Sequence, residues 1–592
     1  MPVILLTKEG TMKKVMRMAT AAVVLLAVMM LAGCASTAAA DNTVHADTVV
    51  YGKIYTSNAD QEFAEAFAVK DGKYVYVGDA DEVSKYIGDD TLVIDRRGQG
   101  LILAGATEGH GHYVVASELA VTDIIVGGSN IEEILSNMRE HVAKYPDKEV
   151  YFTQGWETGG EMSELKYTYN MRAELDSICP DRPIIMLDSV GHNAFLNSKA
   201  FEIAGIDSST VVEGGAIAKD EDGNLLGLVS DVAANYAMAQ IVSKTSVISV
   251  EEVRKAILLC ADTLHANGYT NYFDAYTSML GEETYAGIKE EDEENGLTFN
   301  IISAYKVDPF ENIDEKVALT KEYKEKYSST HFKADNIKLF ADGGAVEVGT
   351  GWMLEPYVNG SHGNQVWTEE KMFEIVKKAN ENGLSVHVHA SGDGGTTLAV
   401  EAFINAEDTA AEGVYNGLGH SRHITEEIKD KMAEHNIYSA TNVCWRYMTA
   451  VEEELIPELL MDIDRYKAGY PMKSLLEKGI VMTSSTDYPA SDGAPTDICS
   501  IVEIGVNGTI EGLDCVRMNE DEYLTVIEML DVMTINGAKQ FQLEDERGSI
   551  EVGKYADFII LDKDITTCEK DKIHEGKVET VYFEGKEVYT LN

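Results

Sequence analysis

From residue 269 to residue 487 seven apolar runs recur at the spacing of strand–helix units. They are YTNYFDA (269–275), TFNIISAY (298–305), NIKLFAD (336–342), LSVHVHA (384–390), GLGHS (417–421), IYSATN (437–442) and IVMTSSTD (480–487). Helical patterns such as EEVRKAILLCADTLHANG and TEEKMFEIVKKANENG separate them, the second ending at Gly383 as a helix C-cap requires. An eighth run, GLILAGATEGHGHY (100–113), reads as a short apolar strand ending in His110, Gly111 and His112. Eight such units predict an α/β fold, a (β/α)8 TIM-like barrel whose chemistry sits at the C-terminal ends of its strands.

At 592 residues the chain exceeds one ordinary barrel domain. Strand patterns with a hairpin turn at Asp71-Gly72 fill 47–99, and others with a turn at Gly585 fill 545–592, so one small β-sandwich domain is expected from both chain ends. The barrel then occupies 100–544. The stretch 114–250 is too long for a simple loop and reads as an inserted lid or substrate subdomain.

The N-terminus carries Lys13, Lys14 and Arg17, an apolar run from Met18 to Leu31, and Leu-Ala-Gly-Cys34. A basic segment, a short apolar core and small residues describe a secretory signal over 1–33, with Met1 and Met12 both open as the start. The ending resembles a bacterial lipobox. That implies cleavage before Cys34, lipid attachment to its sulfur, a flexible tether over 34–46 and a membrane-anchored, extracytoplasmic protein; an uncleaved transmembrane anchor is the alternative. The other six cysteines show no CxxC pair, so neither a thiolate zinc site nor a disulfide framework is read. A formal net charge of -51 opposes nucleic-acid binding, because a phosphate backbone needs a basic face.

Side chains two apart on a strand share a face, so His110 and His112 can grip one metal ion. Lys338 lies on a strand face opposite Ile337 and Leu339, where a barrel-facing ammonium is costly unless paired or neutralised. His387 and His389 again sit two apart; His389, nearer the strand end, is the better ligand, and His387 suits core hydrogen bonding. His420 closes its strand. Asp487 precedes Tyr488-Pro489, where an Asp also serves as a turn residue.

The order His-x-His, Lys, His, His, Asp along strands one, four, five, six and eight resembles the amidohydrolase superfamily. Flanking stretches are similar to its family 3, or YtcJ-like, branch: Gly155-Trp156; Gly191-His192 with Asn197-Ser198; Lys338 with Asp342-Gly343; His389 to Asp393; Ser485 to Pro489; and Gly548-Ser-Ile with Gly553-Lys-Tyr-Ala-Asp557. Four positions depart from that pattern. Ala104 stands where Pro is usual, Glu108 where Asp is, Glu157 follows Gly-Trp where Asp is usual, and Gly419 replaces the Glu before His420.

The resemblance implies metal-dependent hydrolysis of a non-peptide carbon–nitrogen bond in a small molecule. His110 and His112 would hold one metal, His389 and His420 a second, with Lys338 bridging as a CO2-derived carbamate and Asp487 both a ligand and the proton carrier. Two zinc ions are the first expectation, with iron, manganese or nickel open. Trp156 and His192 are candidates for the substrate pocket, and a homodimer is implied. Two other readings remain: a mononuclear deaminase of the same fold, which would not need Lys338, and a non-enzymatic solute-binding surface lipoprotein.

Overall fold

Eight parallel strands follow one another round a barrel in sequence order: Ala106–Gly111, Tyr269–Asp274, Asn300–Lys306, Phe332–Phe340, Ser385–Ala390, Gly417–His420, Tyr438–Thr441 and Met482–Ser484. They are strands one to eight below. This computed structural model describes residues 45–591 apart from 123, 190, 213–214 and 491–492, so the signal, Cys34 and nearly all of the tether lie outside the described residues. Each of the seven runs from 269 to 487 coincides with one barrel strand, and the barrel reading holds.

Strands eight and one share no regular ladder; side chains and strand-end backbone close the seam. Gln540 receives a hydrogen bond from Thr483 Oγ1 at 2.5 Å and donates to the Gly109 carbonyl at 2.9 Å. Beyond it Asp487 N donates to the His110 carbonyl at 2.9 Å, and His112 N to the Tyr488 carbonyl at 2.7 Å. This pairing draws the ends of strands one and eight together. The helices have the caps their sequences provide: Val250–Ala266 starts on a Ser249–Glu252 capping box, and Glu369–Glu381 starts on Thr368. Gly383, one residue past that helix's C-cap, takes φ +71°, the left-handed conformation expected of a helix stop.

The run 100–113 is corrected by the structure. It is two strands in two sheets: Leu101–Ala104 pairs with Thr48–Tyr55 and with Phe558–Leu561, whereas Ala106–Gly111 opens the barrel. The change occurs at Gly105, where a Cβ would sit 2.2 Å from Thr270 Oγ1. Both halves are buried throughout, although the second carries Thr107, Glu108 and His110, so no alternation of burial marks the break. The sheet that receives Leu101–Ala104 is eight-stranded and drawn from both chain ends, ordered from Lys586–Thr590 through Phe558–Leu561 and Thr48–Tyr55 to Lys73–Gly78.

Between strands one and two the chain builds a six-stranded sheet, Gly215–Lys219 at one edge and Ile125–Gly128 at the other. It has its own core of Val126, Met138, Tyr151, Trp156, Met186 and Phe195 among others. Its last helix, Val232–Val242, is bound into the main barrel core through Ala233, Ala237 and Ile241, and Tyr236 meets Phe310 in the loop after strand three.

Candidate metal centre

The barrel strands deliver their ionisable side chains to one end. His110 Nε2 and His112 Nε2 lie 3.4 and 3.1 Å from Asp487 Oδ1, and one donor atom of each side chain falls within 4.8 Å of the others. Lys338 Nζ is 3.2 Å from His110 Nε2 and wholly buried. The His420 ring stands 4.7 Å from that of His110 and 4.1 Å from that of His389. Six residues thus meet from the ends of strands one, four, five, six and eight.

Burial sets their charges. It holds His110 and His420 well below the usual imidazole range, so both are neutral and can offer a lone pair. Burial likewise pulls the Lys338 ammonium down to about 7, against the attraction of Asp487. For Asp487 burial acts upward but is outweighed by the His112 hydrogen bond and the favourable surroundings of His420, His112 and Lys338, which hold the carboxyl at about 2. An ionised carboxylate beside neutral imidazoles is the donor set that zinc and similar divalent ions take, so the residues present fit such an ion.

The ligands are oriented from behind. His387 Nε2 lies 2.7 Å from His110 Nδ1, and its own Nδ1 lies 2.8 Å from the Tyr438 hydroxyl, leaving His110 Nε2 directed at Lys338 and Asp487. Gly419 makes this arrangement fit: a Cβ there would sit 2.6 Å from His110 Nδ1 and 2.8 Å from His387 Nε2. A side chain at position 419 would therefore press on the His110–His387 pair. Asn442 Oδ1 takes His420 Nδ1 at 2.8 Å. Glu108 Oε1 accepts from the backbone N–H groups of His110 and Thr486 at 3.1 and 2.9 Å, while burial pushes its carboxyl up to about 8. Nothing in the sequence flagged Asn442 or Gln540, because their roles exist only once neighbouring strands are in register.

Three expected site residues stand differently from the cluster's centre. His389 is beside His420, but its Nε2 is 2.7 Å from the Gly344 carbonyl and 3.2 Å from Asp342 Oδ1, so it faces the loop after strand four. Trp156 is a correction: fully buried, stacked on Phe195 at 4.4 Å and donating its indole N–H to the Met186 carbonyl, it belongs to the core of the inserted sheet. His192 is largely exposed, with Nδ1 3.2 Å from Asp231 Oδ1.

A family model described as amidohydrolase family, the family 3 branch, matches residues 93–589. The chain belongs to this amidohydrolase family. It is 26% identical over 552 residues to the putative amidohydrolase YtcJ of Bacillus subtilis, covering 91% of this chain and 98% of that one. It is 25% identical over 440 residues to the exoenzymes regulatory protein AepA of Pectobacterium carotovorum, 73% of this chain and 92% of that one. The N-substituted formamide deformylase of Arthrobacter pascens is 22% identical over 554 residues, 91% and 97% of the two chains. Among solved structures, an uncharacterized metal-dependent hydrolase from Pyrococcus furiosus superposes with a TM-score of 0.64 at 20% identity, covering 88% of this amidohydrolase and 100% of that chain; this likeness bears on the fold alone.

Proposed function

We propose that this amidohydrolase cleaves a non-peptide carbon–nitrogen bond, an amide or cyclic amide, in a small molecule. The observation that carries the reading is the convergence of His110, His112 and Asp487 beside the buried Lys338 at the C-terminal end of the barrel. A divalent ion held there, zinc first, would supply an acidified water and a Lewis acid for the scissile carbonyl. The protein's residues do the rest. His110 and His112 hold the ion, their rings fixed by His387 and by the strand-end pairing to Tyr488. Asp487, ionised at neutral pH, accepts a proton and returns it to the leaving nitrogen. The Lys338 amine, facing His110, would add CO2, forming a nitrogen–carbon bond and losing one proton to solvent, and the resulting carbamate together with His389 and His420 would offer ligands to a second ion.

The test is a panel of N-acyl amino acids, N-substituted formamides, cyclic ureas and lactones, offered to the protein with and without added zinc. Amine release that depends on metal is expected; hydrolysis indifferent to chelation, or none of any amide, would refute the reading.

One observation favours a second reading. Among the described residues His110, His112 and Asp487 converge as one set, and His389 Nε2 is engaged by Gly344, an arrangement that suits one ion and hence a mononuclear deaminase. Ammonia release from aminated rings, with one metal per chain, would decide for it.

For the cell, the Leu-Ala-Gly-Cys34 ending supports export and anchoring through lipid on Cys34. A Cys34→Ser protein that is still processed and still sediments with membranes would contradict this.

A further inference from the structure

Behind His110 a chain of hydrogen-bonding atoms runs back through the barrel interior. His110 Nδ1 lies 2.7 Å from His387 Nε2, and His387 Nδ1 lies 2.8 Å from the Tyr438 hydroxyl. Tyr438 is the first residue of strand seven, so the chain begins at the barrel end remote from the site. Gly417, its neighbour on strand six, makes room for the tyrosine ring: a Cβ there would sit 2.4 Å from three of the ring carbons. The three side chains are shut off from solvent, His387 at 0% exposure and His110 and Tyr438 at 1%. Phe273 packs on the His387 ring at 4.6 Å. Each polar atom of His387 therefore has to find its partner within this chain.

Such a chain has a direction. A buried imidazole is neutral and carries one ring hydrogen, on one nitrogen or the other. His110 Nε2 is the atom that faces Asp487, and it can hold an ion only if it keeps its lone pair. The hydrogen of His110 is then on Nδ1 and is donated to His387 Nε2. His387 in turn carries its hydrogen on Nδ1 and donates it to the Tyr438 oxygen. In the opposite sense Tyr438 donates, each hydrogen moves to the other nitrogen of its ring, and His110 Nε2 is blocked. A hydroxyl serves either sense because it rotates to donate or to accept. Gln540 is the other polar side chain beside the Tyr438 hydroxyl, a neighbour to which the phenol hydrogen can turn when the oxygen accepts.

We infer that Tyr438, acting through His387, is a positioning residue of the metal centre: its hydroxyl accepts from His387 and so keeps the lone pair of His110 Nε2 available to an ion. The inference rests on the proposed reading that His110 holds a metal. It adds to that reading a residue that touches neither ion nor substrate.

The test is the zinc affinity of the full-length protein, measured by competition with a chromophoric chelator, beside the urea unfolding of the metal-free form. Tyr438→Phe keeps the ring but leaves the Nδ1 hydrogen of His387 without an acceptor in the sense that metal requires. It is expected to weaken zinc binding about 10- to 100-fold. A merely structural tyrosine would lower the unfolding midpoint and leave the zinc affinity of the folded protein alone. His387→Leu, which takes the acceptor from His110 Nδ1, should weaken zinc binding at least as much. His387→Gln, whose amide oxygen can accept in place of Nε2, should recover a large part of that loss. Zinc held by Tyr438→Phe and His387→Leu as tightly as by the parent overturns the inference and leaves the hydrolase reading in place. His387→Gln binding no better than His387→Leu overturns it as well, because acceptance from His110 would then not be what His387 provides. A parent that binds no zinc strikes the hydrolase reading itself, and this inference with it.

Discussion

Asp487 sits at φ 56°, in the left-handed region, immediately after strand eight, and its carboxylate reaches both histidines of strand one. Asn tolerates that backbone conformation better than most residues, so Asp487→Asn changes the charge and little else. Loss of a proton carrier should lower kcat by about 10²- to 10⁴-fold with the circular dichroism spectrum unchanged. A variant with near-normal kcat would return Asp487 to the turn role that its place before Tyr488-Pro489 also allows. At this scale the sequence was informative where a residue type is costly in its local setting. Lys338 on an apolar strand and paired histidines at strand ends could be picked out because burial penalises them unless they do something. It was silent where the role depends on a partner from another strand. The bond from His387 to His110 and that from Asn442 to His420 need register across the barrel, and the turn of His389 toward Gly344 needs the path of a loop.

The inserted sheet is the element where a motif misleads. Trp156 reads in the sequence as a pocket candidate, yet it packs in a core with Phe195, Met186 and Leu175. Trp156→Ala should therefore cost about 3–5 kcal/mol, the price of an aromatic removed from a core, read as an earlier unfolding transition in urea. A variant as stable as the parent, with weakened substrate binding instead, would restore Trp156 to the site. A strand-end tryptophan gives the same sequence signal in either role; only the side of the sheet it packs against separates them. The barrel strands were legible because each is a short apolar run between helix signals. The split of 100–113 was not, since both halves are buried throughout and no local pattern singles out Gly105 as the change of sheet.

Across the whole molecule the barrel is pinned to the sheet of the chain ends by a small charged network. His331, just before strand four, lies 2.7 Å from Asp292 and 3.4 Å from Glu584, and Glu584 also takes Arg547 at 2.5 Å. Burial would lower the His331 imidazole, but the hydrogen bonds from Asp292 and Glu584 prevail and raise it to about 9 from an ordinary 6.5. A raised folded-state value means the stabilisation is complete below pH 6.5 and disappears as pH climbs through about 9. The stability gap between the parent and His331→Gln should narrow over that window, measured by denaturant titration at several pH values; a gap that is constant or widens would show that His331 is not bound as a cation. The two sheets and their pin hold the barrel; the claim about what the barrel does stands or falls on metal. Metal analysis of full-length protein reconstituted with zinc and bicarbonate addresses it directly, with His112→Ala and Lys338→Ala run alongside. The account predicts two ions per chain in the parent and fewer in each variant. A parent that retains no stoichiometric metal, or a His112→Ala protein that holds as much as the parent, would contradict it.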